Sequence, residues 1–186
     1  MSNTRDLVLI AMFAGLTAVL AYVYLPIPMS PVPITGQTMG VMISGAILGA
    51  KKGFMSQVVY LLLGVIGLPV FAGGMGGISV LLGPTGGYLL SCPIAAFIVG
   101  YFVKKSEAKQ GCRHWGLLLF GLFFGGVVAI YVPGVLQLSL ITQIPIEAAI
   151  LQGAVPYLIG DTAKLVGSAL VVRSFHSASL VERLSS

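Results

Sequence analysis

Asp161 and Lys164 stand three residues apart in Pro156-Tyr-Leu-Ile-Gly-Asp-Thr-Ala-Lys164, inside an otherwise apolar segment. On a helix that spacing puts both side chains on one face, within reach of each other. Ionisable groups at membrane depth are costly and are by default kept for a substrate or ion path; a structural ion pair pinning two helices is the plainer reading. Asp161 accepts hydrogen bonds and Lys164 donates them. Together they suit a largely apolar small molecule with a compact polar head, either adjacent N–H and C=O groups or a carboxylate. Each charge offsets the other, which makes their burial tolerable. A second polar cluster able to face a ligand lies in Ile34-Thr-Gly-Gln-Thr38, with the hydroxyl of Thr35 and the amide of Gln37.

Other chemistries lack their residues. The glycines of Gly83-Pro-Thr-Gly-Gly87 are not followed by the Gly-Lys-Ser/Thr of a phosphate-binding loop, so the chain has no ATP motif of its own. His114 and His176 fall in segments predicted to be cytoplasmic, which leaves no Ser/His dyad, and no Cys/His/carboxylate cluster has metal-ligand spacing. Cys92 lies in an apolar segment and Cys112 in a basic loop, so a disulfide between them is not expected. The reading is of a protein that is not an enzyme and needs neither metal nor cofactor. The net charge of +5 does not point to nucleic acid either, because the basic residues form short clusters beside apolar runs, as membrane orientation produces.

The elements that must position Asp161 and Lys164 are membrane spans. Hydrophobic residues make up 57% of the 186 and charged ones 8%, against roughly 25% charged in soluble domains. No Asp, Glu, Lys or Arg occurs from Gly53 to Val103. We read one domain with six spans, at about residues 7–25, 38–50, 54–68, 88–103, 115–132 and 156–173, the first of them retained rather than cleaved as a signal peptide. The loops between them have character. Pro26 to Pro33 holds four prolines and predicts a stiff, extended connection. Gly73 to Gly87 holds seven glycines, so its backbone can turn sharply and approach a bound molecule. Tyr131-Val-Pro-Gly134 is expected to break or kink the fifth span, leaving short helical pieces up to Val155, with Gln137 and Gln143 as polar candidates. Ala14-Gly-Leu-Thr-Ala18 on the first span permits close approach of another helix, within the chain or outside it.

Nine of the ten basic residues fall on the side of the two termini or at its boundary; the tenth is Lys164. The termini are therefore expected in the cytoplasm, with the three uncharged loops outside. Asp161 and Lys164 then form the floor or wall of an outward-facing pocket. There is no internal repeat of the kind found in many self-sufficient carriers.

In this order, Pro31-Val-Pro-Ile-Thr-Gly-Gln-Thr38, Gly45-Ala-Ile-Leu-Gly49, Gly67-Leu-Pro-Val-Phe-Ala-Gly-Gly74, Gly83-Pro-Thr-Gly-Gly-Tyr88 and Gly160-Asp-Thr-Ala-Lys164 resemble the BioY family. Its members are biotin-specific S-components of energy-coupling-factor (ECF) transporters, and the resemblance covers nearly the whole chain. It implies an all-α membrane protein, a six-helix S-component-like bundle in a prokaryotic cell membrane, that captures biotin from outside. The implied partners are a transmembrane coupling protein and two cytoplasmic ATPases, with Ala14 and Ala18 as the docking surface for the coupling protein. For biotin it implies Asp161 accepting from a ureido N–H, and Lys164 donating to the ureido carbonyl or the valerate carboxylate. Thr35, Gln37, Tyr88 and Tyr131 would add hydrogen bonds or stack on the bicyclic ring. The glycine loop with Gly73, Gly74 and Gly77 would close over the ligand, with Phe71 or Met75 as apolar cover. The alternative is a self-sufficient proton-coupled carrier for biotin or a similar small vitamin, whose uptake would persist without ATPase partners.

Overall fold

The computed structural model describes residues 4–28, 30–107 and 112–185, with side chains described for all of these except 107, 112–114 and 175–185. Lys109, and the side chains of Glu107, Cys112, Arg113, His114, His176 and Arg183 that the sequence assigns to the cytoplasmic flank, lie outside the described residues.

Within hydrocarbon every backbone N–H and C=O must be paired inside the chain, and helices do this segment by segment. The chain accordingly runs as α1 (Thr4–Ala21), α2 (Gln37–Leu48), α3 (Ala50–Val65), α4 (Ile78–Leu82), α5 (Gly86–Leu90), α6 (Cys92–Glu107), α7 (Cys112–Phe123), α8 (Ala129–Thr142), α9 (Ile146–Gly153) and α10 (Leu158–Ser185). Stretches Thr4–Ala21, Gly86–Ser106, Trp115–Thr142 and Ile146–Ser174 are long and apolar enough to cross a bilayer. α2 and α3 are shorter, at 12 and 16 residues. They meet at Gly49, whose φ of 79° ends one helix and starts the next without a connecting loop.

Glycine packing sets the centre of the bundle. A Cβ on Gly45 of α2 would lie 2.3 Å from the Ala96 carbonyl oxygen of α6, and one on Gly100 of α6 would lie 2.4 Å from the Ala50 nitrogen of α3. Bare backbone at these crossings lets three helices touch where any side chain would hold them apart. A buried polar node ties in the outermost helix: the Gln57 amide of α3 donates to Thr17 of α1 at 3.0 Å and to Ser44 of α2 at 2.9 Å.

Three segments differ from the sequence expectation. α1 stops at Ala21 because Tyr24 and Leu25 pair antiparallel with Thr35 and Ile34, a two-residue ladder that closes the base of the proline-rich loop. The glycine-rich stretch is not all loop, since it contains α4 and the start of α5. Of the expected break or kink at Pro133, the break does not occur, while α9 is a short helical piece of the kind expected before Val155. A π-helical turn at Phe124–Val128 joins α7 to α8, and the helix continues past Pro133 to Thr142. Ending a helix in the membrane strands several carbonyls, whereas one internal proline frees a single acceptor, and a local π adjustment eases the register. Past Arg173, where the last span is expected to end, α10 continues as a helix to Ser185 through residues 174–185, which include no Gly or Pro.

Candidate functional site

Tyr157, Asp161 and Lys164 follow i, i+4, i+7 spacing at the start of α10 and its preceding turn, so they share one stripe. Opposite them stand Tyr131 on α8 and Tyr88 on α5. The roof comes from Val32 to Thr35 and from Gln37 and Thr38, the first turn of α2. Together they line a cavity whose empty space, with the open solvent at its mouth included, is about 710 Å³.

Among the described residues, the cavity's only charged lining residues are Asp161 and Lys164. Asp161 is 1% exposed, and both of its carboxylate oxygens are engaged. Oδ1 accepts from the Lys164 ammonium at 2.7 Å, and Oδ2 accepts from the Tyr131 hydroxyl. Lys164 retains two further N–H donors. The Tyr131 ring meets Tyr88 edge to face at 5.9 Å, and the Tyr88 hydroxyl is fixed on the Gly153 carbonyl at 2.8 Å. A ligand here meets an aromatic corner beside a charge pair: a carboxylate to accept from N–H, an ammonium to donate to oxygen, and ring edges against an apolar skeleton. The Thr38 hydroxyl oxygen is buried without a partner. An unsatisfied buried hydroxyl in a cavity wall is what a ligand's polar group would complete.

Of the residues expected from sequence, Asp161, Lys164, Thr35, Gln37, Tyr88 and Tyr131 all line this one cavity. Phe71 and Met75 line it too. Gly73, Gly74 and Gly77 do not. Their φ values of 66°, 76° and 95° are ones that L side chains rarely adopt, so their role is to turn the backbone that presents Phe71, Ala72 and Met75 to the cavity. Gly73 packs on the Tyr24 ring, and the Tyr22 hydroxyl donates to the Pro69 carbonyl, which fastens the loop to the end of α1.

Gln137 is a structural brace: its amide donates to the carbonyls of Leu81 and Gly83 at 2.8 and 2.9 Å. Gln143 caps α8 in a left-handed conformation. Of the residues expected at the docking surface, Ala14 is fully buried with Tyr60 and Phe71, and Ala18 is half-buried against the same cluster. The exposed side of α1 instead carries Val8, Ala11, Met12, Gly15 and Val19.

Tyr157 was missed by the sequence reading. Its hydroxyl donates to the Val32 carbonyl and contacts Ser30 Oγ at 2.7 Å, while Ser30 Oγ accepts from the Val32 N–H at 3.1 Å. This closed ring of hydrogen bonds pins the roof to the helix that bears Asp161. The spacing of Tyr157 four residues before Asp161 was the available signal.

A family model described as the BioY family matches residues 1–180. The chain is 35% identical over 176 residues to a biotin transporter BioY of Rhizobium etli, covering 92% of this chain and 93% of that one. It is 38% identical over 167 residues to a biotin transporter BioY of Thermotoga maritima, covering 90% and 93%. Among solved structures, the S-component for biotin from an ECF-type ABC transporter superposes with a TM-score of 0.86 at 31% identity, covering 95% of each chain.

Proposed function

This chain belongs to the BioY family, and from that premise we propose that it is the biotin-capturing S-component of an ECF-type ABC transporter, with its biotin site in the cavity around Asp161 and Lys164. It is a multi-pass membrane protein and a transporter subunit, not an enzyme. The observation that carries the site is the Tyr131–Asp161–Lys164 network, a buried ion pair at the wall of an apolar cavity. Asp161 accepts from a ureido N–H of biotin, and Lys164 donates to the ureido carbonyl or to the valerate carboxylate. Tyr88 and Tyr131 flank the bicyclic ring, and Thr35 and Gln37 hydrogen-bond from the roof.

The chain forms one six-span domain in a prokaryotic plasma membrane. Both termini are cytoplasmic and the cavity opens outward, a reading supported by the placement of the lysines and arginines. The coupling protein docks on the exposed side of α1, where Ala11 and Gly15 allow close approach. Two ATPases complete the transporter.

Calorimetric titration of the detergent-purified chain, stripped of bound ligand, tests the site. Saturable one-to-one biotin binding is expected, weakened at least about 100-fold in the Asp161→Asn, Lys164→Ala double variant, equivalent to about 2.7 kcal/mol. A folded, ligand-free chain that binds no biotin would overturn the reading. Binding that survives the double variant would move the site elsewhere.

A further inference from the structure

Away from the proposed biotin cavity, at the lysine-rich end of the bundle, α3 and α6 form a second, open groove lined by Lys51, Phe54, Met55 and Phe97. From this groove we infer that the chain holds an anionic phospholipid there, its head on Lys51 and an acyl chain along Phe54, Met55 and Phe97.

Each wall has the same order. On α3, Lys51 is followed by Phe54 and Met55 at i+3 and i+4; on α6, Phe97, Gly100, Tyr101 and Lys104 follow i, i+3, i+4, i+7 spacing, so Lys104 continues the stripe that Phe97 starts. The two helices touch where Gly100 meets Ala50, which brings that stripe against the first turn of α3. Both walls therefore run from a cation at the membrane boundary to bulky apolar side chains one or two turns deeper.

The four lysines of this rim divide into two kinds. Lys52 is paired with Asp6 at 2.6 Å, and Lys105 lies over the Tyr101 ring at 4.6 Å. Lys51 and Lys104 have no carboxylate partner among the described residues. Lys51 is also in the first turn of α3, which holds no acidic residue and where the helix dipole disfavours a cation. A negative charge beside Lys51 compensates both effects. A soluble anion would make no use of the Phe54–Met55–Phe97 wall, and a neutral lipid would make none of Lys51. An amphiphile with an anionic head fits both, and anionic phospholipids are the abundant ones in a cytoplasmic leaflet. The leaflet assignment rests on the topology proposed above; binding itself does not.

Native mass spectrometry of the full chain released from bilayer discs of equal phosphatidylglycerol and phosphatidylcholine tests this. The unaltered chain is expected to retain one phosphatidylglycerol in preference to phosphatidylcholine, and Lys51→Gln to lower that preference about fivefold. Lys105→Gln removes the same charge from the same rim but not from the groove, and is expected to leave the preference unchanged. Added oleate, a fatty acid sharing the head charge and chain, is expected not to displace the bound lipid. Biotin titration of each variant reports that the fold is intact and should not move. Equal retention of the two lipids by the unaltered chain, equal losses in Lys51→Gln and Lys105→Gln, or displacement by oleate would each overturn the assignment. So would protection of Lys51 from acetylation only when a coupling protein is bound, which would give the groove to a protein partner.

Discussion

Two Asp–Lys pairs in this molecule share a geometry and differ in surroundings. Asp161 and Lys164 close at 2.7 Å with side chains 1% and 16% exposed; Asp6 and Lys52 close at 2.6 Å with 30% and 43% exposed. Distance does not separate them, but solvent does. The exposed pair joins α1 to α3 at the boundary, where water screens both charges and such contacts contribute about 0–1 kcal/mol. The buried pair has lost its water, so each charge depends on the other and on Tyr131, and removing one partner leaves a stranded charge. The same dependence suits the buried pair to the binding role proposed for it: a ligand that satisfies Lys164's remaining donors gains more there than at a wet surface.

Asp161→Ala tests that contrast most severely. It should abolish measurable biotin binding and destabilise the ligand-free chain by at most about 3–5 kcal/mol, because the half-buried Lys164 ammonium loses its counter-charge. Adding Lys164→Met should recover most of the stability and none of the binding, as read by thermal unfolding in detergent and by calorimetry. If the single and double variants unfold alike, the pair is not electrostatically coupled in the way its burial implies.

A smaller effect is expected of Tyr131→Phe, which keeps the ring against Tyr88 and deletes the donor to Asp161 Oδ2. Hydrogen bonds to charged groups contribute about 1.5–3 kcal/mol, so affinity should fall between roughly tenfold and 150-fold. An unchanged affinity would mean that the carboxylate is oriented by Lys164 alone.

Asp6→Asn closes the series at the exposed pair. Biotin affinity should stay within about twofold and stability within about 1 kcal/mol. A loss as large as that of Tyr131→Phe would erase the distinction between the two pairs.

Much of the candidate site was legible in the residues because its key groups are polar in an apolar chain. Asp161 and Lys164 stand out for that reason, as does the Thr35–Gln37 cluster, and all line one cavity. Ala14 shows where legibility ends. In a soluble helix the buried face is marked by its apolar stripe, but in lipid both faces of α1 are apolar, so the small residues Ala11, Ala14, Gly15 and Ala18 do not reveal which of them look inward. The helix through Pro133 shows a second limit. Soluble rules make proline a terminator, whereas in hydrocarbon the stranded carbonyls of a helix end cost more than one missing hydrogen bond.

The order of apolar runs, the positions of the lysines and arginines, and one carboxylate and one ammonium within an apolar segment are properties of the chain itself. They were enough to determine a helical membrane protein, its expected orientation and the helix that bears its charge pair, because insertion into a bilayer responds to hydropathy and charge along the sequence. Only the tertiary structure decided that Tyr131 reaches Asp161 from α8, that Tyr157 holds Ser30 and Val32, and that Ala14 is spent on the core. Those contacts join residues 30 to 127 positions apart or depend on which way a uniformly apolar helix is turned, and helix rotation is set by packing against neighbours rather than by any local pattern.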